Sequence, residues 1–323
     1  MSDLKQAIQR EYLKCASDPV YFMRKYCTIQ HPTKGKVKFD LYPFQEKCLT
    51  TFKDNRYNII LKARQLGIST LSAGYSLWMM LFHNDKNILV IATGKETAKN
   101  LVTKVRVMYE GLPQWLKTNT EEINKLSIRF ANGSQIKAIA SNESAGRSEA
   151  LSLLIVDEAA FIDRIDTIWT AAQQTLSTGG GCIALSTPNG VGNWFHKQWL
   201  GAEEGTNQFN TIRLHWTDHP DRDQVWRDEQ DKILGPSQAA QECDTDFLSS
   251  GRSVVDPAIL QWYKDEMIEA PIEEVGIDRG MWVWRQPDYT KEYIVVADVA
   301  RGDGSDFSAC QVFEVEDMEQ CAE

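Results

Sequence analysis

The stretch Asn58-Ile59-Ile60-Leu61-Lys62-Ala63-Arg64-Gln65-Leu66-Gly67-Ile68-Ser69-Thr70 constrains the fold more than any other part of the chain. An apolar run of strand type leads into a loop whose backbone is freed by Gly67, and Ser69-Thr70 open an amphipathic helix through Trp78 and Leu81. Strand, glycine loop and helix in that order make a phosphate-binding loop, where backbone N–H groups and the helix N-terminus face an anion. The match to G-x-x-x-x-G-K-[ST] is partial. Gly67 and Ser69 fit, but Lys62 stands where the first glycine belongs and Ile68 where the lysine belongs. Lys62 still offers an ammonium on a flexible stem, and Arg64 adds a planar cation. The same residues would also make a plain strand–turn–helix connection with solvated basic side chains.

Leu153-Leu154-Ile155-Val156 ends in Asp157-Glu158, the pattern of a buried parallel strand that delivers carboxylates to the C-terminal edge of a sheet. Such a pair resembles a Walker B element. Asp157 would hold Mg²⁺, directly or through water, and Glu158 would orient and activate the attacking water. An acid pair at a strand end also serves as a cap or a solvated turn; the phosphate loop upstream is what favours an ATPase.

Other apolar strands, Asn87–Ala92 and Cys182–Leu185, alternate with helical patterns, which predicts an α/β fold with a doubly wound, mainly parallel sheet. Ser127–Phe130 and Gln135–Ile139, joined through Asn132-Gly133, read as a hairpin. Residues 1–30 read as helical, with a break and restart at Asp18-Pro19, and Val37–Phe39 as a short strand. Gln45, with Tyr42 and Phe44 beside it, precedes the loop by about twenty residues; its amide and a stacked ring could clamp adenine and select ATP over GTP. The alternative is an aromatic pair in the core with a surface glutamine. Ser186-Thr187-Pro188-Asn189-Gly190 closes a core strand and would feel the γ-phosphate, or would be only a turn.

The net charge of −10 conceals an asymmetry: residues 1–110 carry 18 Lys+Arg against 9 Asp+Glu, and residues 111–323 carry 17 against 36. A basic portion of this kind could meet a phosphate backbone, although scattered solvated charges give the same count. Seven cysteines without C-x-x-C spacing argue against a disulfide framework and a structural zinc. No apolar run is long enough for a membrane span and the start lacks a signal-peptide core, so the sequence predicts a cytosolic chain.

Domain boundaries follow from these patterns. Residues 1–250 form an ATPase domain, with a core of about 37–210 and a helical accessory subdomain from 1–36 and 211–250. Residues 251–288, with Pro257, Pro271 and Pro287, read as hinge and linker. Residues 289–323 begin a further sheet: Tyr293–Ala297 runs into Asp298, and Asp303 and Asp306 follow in the turn. Clustered acids of this kind suit a two-metal nuclease that uses Mg²⁺ or Mn²⁺.

Four ordered motifs, Lys62–Thr70, Ile155–Phe161, Ser186–Gly190 and Asp298–Asp306, together resemble the large terminase subunit of tailed bacteriophages over nearly the whole chain. That resemblance implies an ATP-driven motor that moves viral double-stranded DNA into a procapsid and cuts the concatemer. It implies Gln45 as adenine reader and Lys62, Ala63, Arg64, Gln65, Leu66, Gly67, Ile68, Ser69 and Thr70 as the nucleotide loop. Ser69 and Asp157 would be the magnesium residues and Glu158 the base, with Lys62 and Arg64 also acting in catalysis. Thr187, Pro188 and Asn189 would couple hydrolysis to motion. Arg147, in Gly-Arg-Ser where Arg-Gly is usual, matches by position an arginine that reaches a neighbouring subunit. A ribonuclease-H-like nuclease would begin with Asp298 as metal ligand and Asp306 as a supporting acid. Its later acids have no counterpart before Glu323, so the resemblance implies a fragment or truncated variant without competent cleavage. The portal protein, the small terminase subunit and sister subunits in a ring on the procapsid would be its partners, in the host cytoplasm. A helicase-like or remodelling ATPase is the alternative, and a nucleotide-gated binding module a third.

Overall fold

Asp18 breaks the first helical stretch into α1 (Ser2–Ser17) and α2 (Pro19–Tyr26), its carboxylate accepting from the Val20 N–H at 2.8 Å while Pro19 opens the second helix. The structure is a computed structural model that describes residues 2–31, 33–140, 150–247, 259, 262–263, 266–276, 280–300 and 308–323. It divides into two units, Met1–Val254 and Val255–Glu323.

In the first unit, β1 (Thr28–His31) and β2 (Gly35–Lys38) pair as an antiparallel hairpin, followed by α3 (Pro43–Asp54). Then β3 (Tyr57–Lys62), α4 (Ile68–Phe82), β4 (Asn87–Ala92) and α5 (Lys95–Gly111) alternate as the sequence predicts. Three strands follow, β5 (Thr120–Ile123), β6 (Ser127–Phe130) and β7 (Gln135–Ala140), with β6 and β7 antiparallel across the predicted hairpin. The acidic strand is β8 (Leu153–Asp157). After it come α6 (Ile165–Leu176), β9 (Gly181–Ser186), α7 (Trp194–Glu203), β10 (Asn210–Leu214), α8 (Gln224–Leu234) and α9 (Pro236–Ala239), which runs into a π-helical turn, Ala240–Asp244.

The sheet order is β10-β3-β9-β8-β4-β7-β6-β5, with every pair from β10 to β7 parallel. Alternate residues feed opposite faces. Ile60, Val90, Ile155 and Ile183 enter a core with α2, α3, α4 and α5, and Ile59, Leu61, Leu89, Ile91 and Val156 enter a second with α6 and α7. Burial on both faces explains the unbroken apolar runs of these strands. Each fully buried Ile or Leu contributes about 1.5–3 kcal/mol, so the sheet's central strands dominate the stability of this unit. Gly74 lets α2 approach α4, since a Cβ there would lie 2.8 Å from Met23 Sδ.

Two boundaries differ from the sequence reading. β10 pairs in parallel with β3, Asn210↔Asn58 through Leu214↔Lys62, so the core sheet extends past residue 210 into the stretch read as accessory. Its polar composition, Asn-Thr-Ile-Arg-Leu, hides it because it is an edge strand. The boundary at 36/37 also falls inside the β1–β2 hairpin.

The second unit holds a five-stranded sheet ordered β11 (Glu273–Val275), β12 (Met281–Val283), β15 (Gln320–Ala322), β14 (Ala309–Glu314) and β13 (Tyr293–Asp298), all antiparallel. β11 and β12 lie in 251–288, so part of the predicted linker is sheet. Their three-residue length left no periodicity to read. The start of the predicted hinge and linker, residues 251–258, lies outside the described residues.

Candidate nucleotide site

β3, buried from Asn58 to Lys62, delivers its chain to the C-terminal edge of the sheet, where residues 63–67 turn and α4 begins. Gly67 caps α4 at φ 76°, and a Cβ there would meet Gln45 Nε2 at 2.8 Å, so both conformation and space require glycine. Gln65 is also left-handed at φ 59°. Gln45 braces this turn: its Nε2 donates to Leu66 O at 2.9 Å and its Oε1 accepts from the Tyr42 N–H at 3.1 Å.

Residues 64–70, with Lys62, Lys104 and Glu158, enclose a cavity of about 290 Å³. Lys62, 5% exposed, places Nζ 3.1 Å from Glu158 Oε1. Ser69 Oγ donates to Asp157 Oδ1 at 3.1 Å. Asp157 is buried, and burial followed by the neighbouring Glu158 charge pushes its pKa above the ordinary 3.8, against the opposing pull of Lys62 and Ser69. Burial lowers the pKa of Lys104, opposed by Asp157 and reinforced by Lys62. Glu158 itself sits at φ 56°, ψ 47°, a strained left-handed backbone that turns its carboxylate back toward the loop. A carboxylate beside a hydroxyl, facing cations across a polar cavity, is a sparse donor set that suits Mg²⁺ when phosphates and waters complete its shell.

The loop after β9 is wired to these acids. Ser186 Oγ accepts from the Ala160 N–H at 3.1 Å, and Asn189 Nδ2 donates to Ala160 O at 3.0 Å. On its other side Pro188 O accepts from Gln241 Nε2 at 3.1 Å, and Thr187 is buried. The next residue of that π-helical turn, Glu242, reaches the phosphate loop: Arg64 Nη1 lies 2.9 Å from its Oε1. Arg222, stacked over Trp226 at 4.4 Å, donates to Arg64 O at 3.0 Å and Gln65 O at 3.3 Å.

The family profile described as terminase large subunit, T4-like virus type, N-terminal, covers residues 59–255. The chain belongs to the large-terminase family. The probable terminase large subunit gp28 of Escherichia phage Mu is 26% identical over 168 residues, 47% of this chain and 30% of that protein. This chain therefore spans less than a third of that relative's length. Among solved structures, the Thermus phage P74-26 large terminase ATPase domain superposes with a TM-score of 0.50 at 22% identity, covering 60% of this chain and 89% of that one. The HK97 bacteriophage large terminase gives 0.60 at 16% identity, covering 94% and 66%. At these identities the two structures establish the fold.

In this terminase chain the structure brings together Lys62, Arg64, Gly67, Ser69, Thr70, Asp157 and Glu158. Ala63 and Leu66 are buried supports, and Ile68, 1% exposed, anchors α4 in the core. Gln45 is buried with both ends of its amide engaged by backbone, each keeping one further bonding position. It also lines a second cavity of about 390 Å³ with Tyr42, Gln65, Gly67 and the β1–β2 hairpin. Arg147 and Asp306 lie outside the described residues. Asp298 ends β13 at the sheet edge, exposed. Among the described residues no three His, Cys, Asp or Glu side chains gather as a metal group. Sequence reasoning missed Lys104, Arg222, Gln241 and Glu242. Lys104 was legible only as part of an amphipathic helix, and the other three act from a region without any motif.

Proposed function

We propose that residues 1–250 form an ATP-hydrolysing motor that moves double-stranded viral DNA into a procapsid. The observation that carries this reading is the convergence of Lys62, Ser69, Asp157 and Glu158 on the cavity of the phosphate loop.

In this mechanism the loop N–H groups and Lys62 hold the phosphates, and Ser69 and Asp157 would hold Mg²⁺, directly or through water. Mg²⁺ held there would supply positive charge to offset the charge that develops on the phosphates. Glu158 gives up its ion pair with Lys62, orients a water and takes its proton. The buried Asp157 lowers the free energy of the site when a cation arrives, because an uncompensated carboxylate there is unfavourable. Gln45 positions the loop and, with Tyr42, borders the cavity suited to the base. The chain from Ala160 through Asn189 and Pro188 to Gln241 supports Thr187, Pro188 and Asn189 as the coupling element, because hydrogen bonds join it to the acid turn and to the π-helical turn.

Arg147 acting on a neighbour's nucleotide, a ring on the portal, contact with the small subunit, residence in the host cytoplasm and a Mg²⁺- or Mn²⁺-dependent nuclease around Asp298 and Asp306 complete the proposal. Steady-state ATP hydrolysis with and without double-stranded DNA tests it. DNA-stimulated turnover that Glu158→Gln lowers by about 100-fold or more, with nucleotide still bound, is the expected result. Turnover unaffected by Glu158→Gln would contradict it.

A further inference from the structure

Position 68 is occupied by a core isoleucine, and the lysine at 62 is already engaged by Glu158 at 3.1 Å. A second lysine reaches the same cavity from a different element. Lys104, in the middle of α5, lines it together with Lys62, Thr70 and Glu158. It also borders a neighbouring, largely apolar cavity with Ile29, Val107 and Met108, as a lysine does when its stem covers apolar surface and its ammonium reaches polar space. Among the described residues Lys104 has no salt bridge or hydrogen bond; the charges acting on it are those of Asp157 and Lys62. A half-buried ammonium without a bonded carboxylate, beside a second lysine, is unfavourable until an anion enters.

We propose that Lys104 of α5 is a further phosphate-binding residue of this site and recognises the terminal phosphate of a nucleoside triphosphate. The assignment to the terminal phosphate follows from position. Lys104 lines the cavity beside Lys62 and Glu158 and feels the charge of Asp157, which with Ser69 would hold the Mg²⁺ that accompanies the outer phosphates. α5 thereby distinguishes triphosphate from diphosphate, and it packs along α4 and β7, so the difference is felt outside the loop. The inference rests on the nucleotide reading given above.

Calorimetric titration of ATPγS and of ADP, each with Mg²⁺, into the full chain and into Lys104→Met and Lys104→Arg tests it. Removing one charge-assisted contact predicts an ATPγS affinity about 10-fold or more weaker in Lys104→Met, with ADP changed by about twofold at most. Lys104→Arg restores most of the ATPγS affinity. Lys104→Gln, which keeps polarity without the charge, gives the same comparison if the methionine variant does not fold. Equal losses for ATPγS and ADP, or no loss for either, would overturn the proposal. A wild-type chain that binds neither nucleotide would overturn the nucleotide reading itself, and this inference with it.

Discussion

Glu242 holds Arg64 twice: its Oε1 lies 2.9 Å from Arg64 Nη1, and its carbonyl oxygen accepts from the Arg64 N–H at 2.7 Å. A cation expected to serve phosphate is thus tied to the π-helical turn in the free protein. The guanidinium is 66% exposed, so the ion pair contributes no more than about 1 kcal/mol and can be exchanged for a phosphate. Glu242→Gln should therefore raise nucleotide affinity by about two- to fivefold. Equilibrium titration of ADP checks this, and a weaker affinity would mean that Glu242 orients Arg64 for its ligand.

Asp157 should cost stability in the free protein. Its folded pKa is raised, so the folded state binds the proton more tightly than the unfolded state. The penalty is absent at pH below the ordinary carboxylate value, grows as pH rises through the raised folded value, and is complete above it. Asp157→Asn should thus melt above the wild type at pH 7, with the gap closing as pH falls toward 4, and it should lose Mg²⁺-dependent stabilisation by nucleotide. Thermal melts across pH check both. A pH-independent gap would remove Asp157 ionisation from the explanation.

Gln45→Ala deletes the brace between Tyr42 N and Leu66 O. It should cost about 1–3 kcal/mol of stability without any nucleotide present, because the buried Leu66 carbonyl and the part-buried Tyr42 N–H lose their partner. Chemical denaturation measures it. The wild type should also prefer ATP to GTP, with the preference reduced in Gln45→Ala; an unchanged denaturation midpoint would leave the brace without energetic weight.

Short-range chemistry made much of this legible. Apolar runs such as Asn87–Ala92 had to be strands buried on both faces, and Gly67 had to be where the loop needs a freed backbone. Lys62, Ser69, Asp157 and Glu158 were readable because each follows directly on a strand or opens a helix. The illegible parts depend on distant partners. β10 is recognisable only through its pairing with β3, and Glu242 matters only because the fold carries it to Arg64, 178 positions away in sequence. Lys104 belongs to an ordinary amphipathic helix until α4 and α5 pack and turn it to the cavity.

In the proposed mechanism a lysine at position 62 does the work of the one missing at position 68. The buried Ile68 makes a direct restoration unsuitable, since a lysine there would place its charge in the core. The kcat of Lys62→Ala for ATP hydrolysis is the direct measurement. Loss of a positioned charge in a water-poor site predicts a fall of about 100-fold or more, with a smaller loss in nucleotide affinity. Hydrolysis by Lys62→Ala at the wild-type rate would mean that Lys62 does not supply the missing charge.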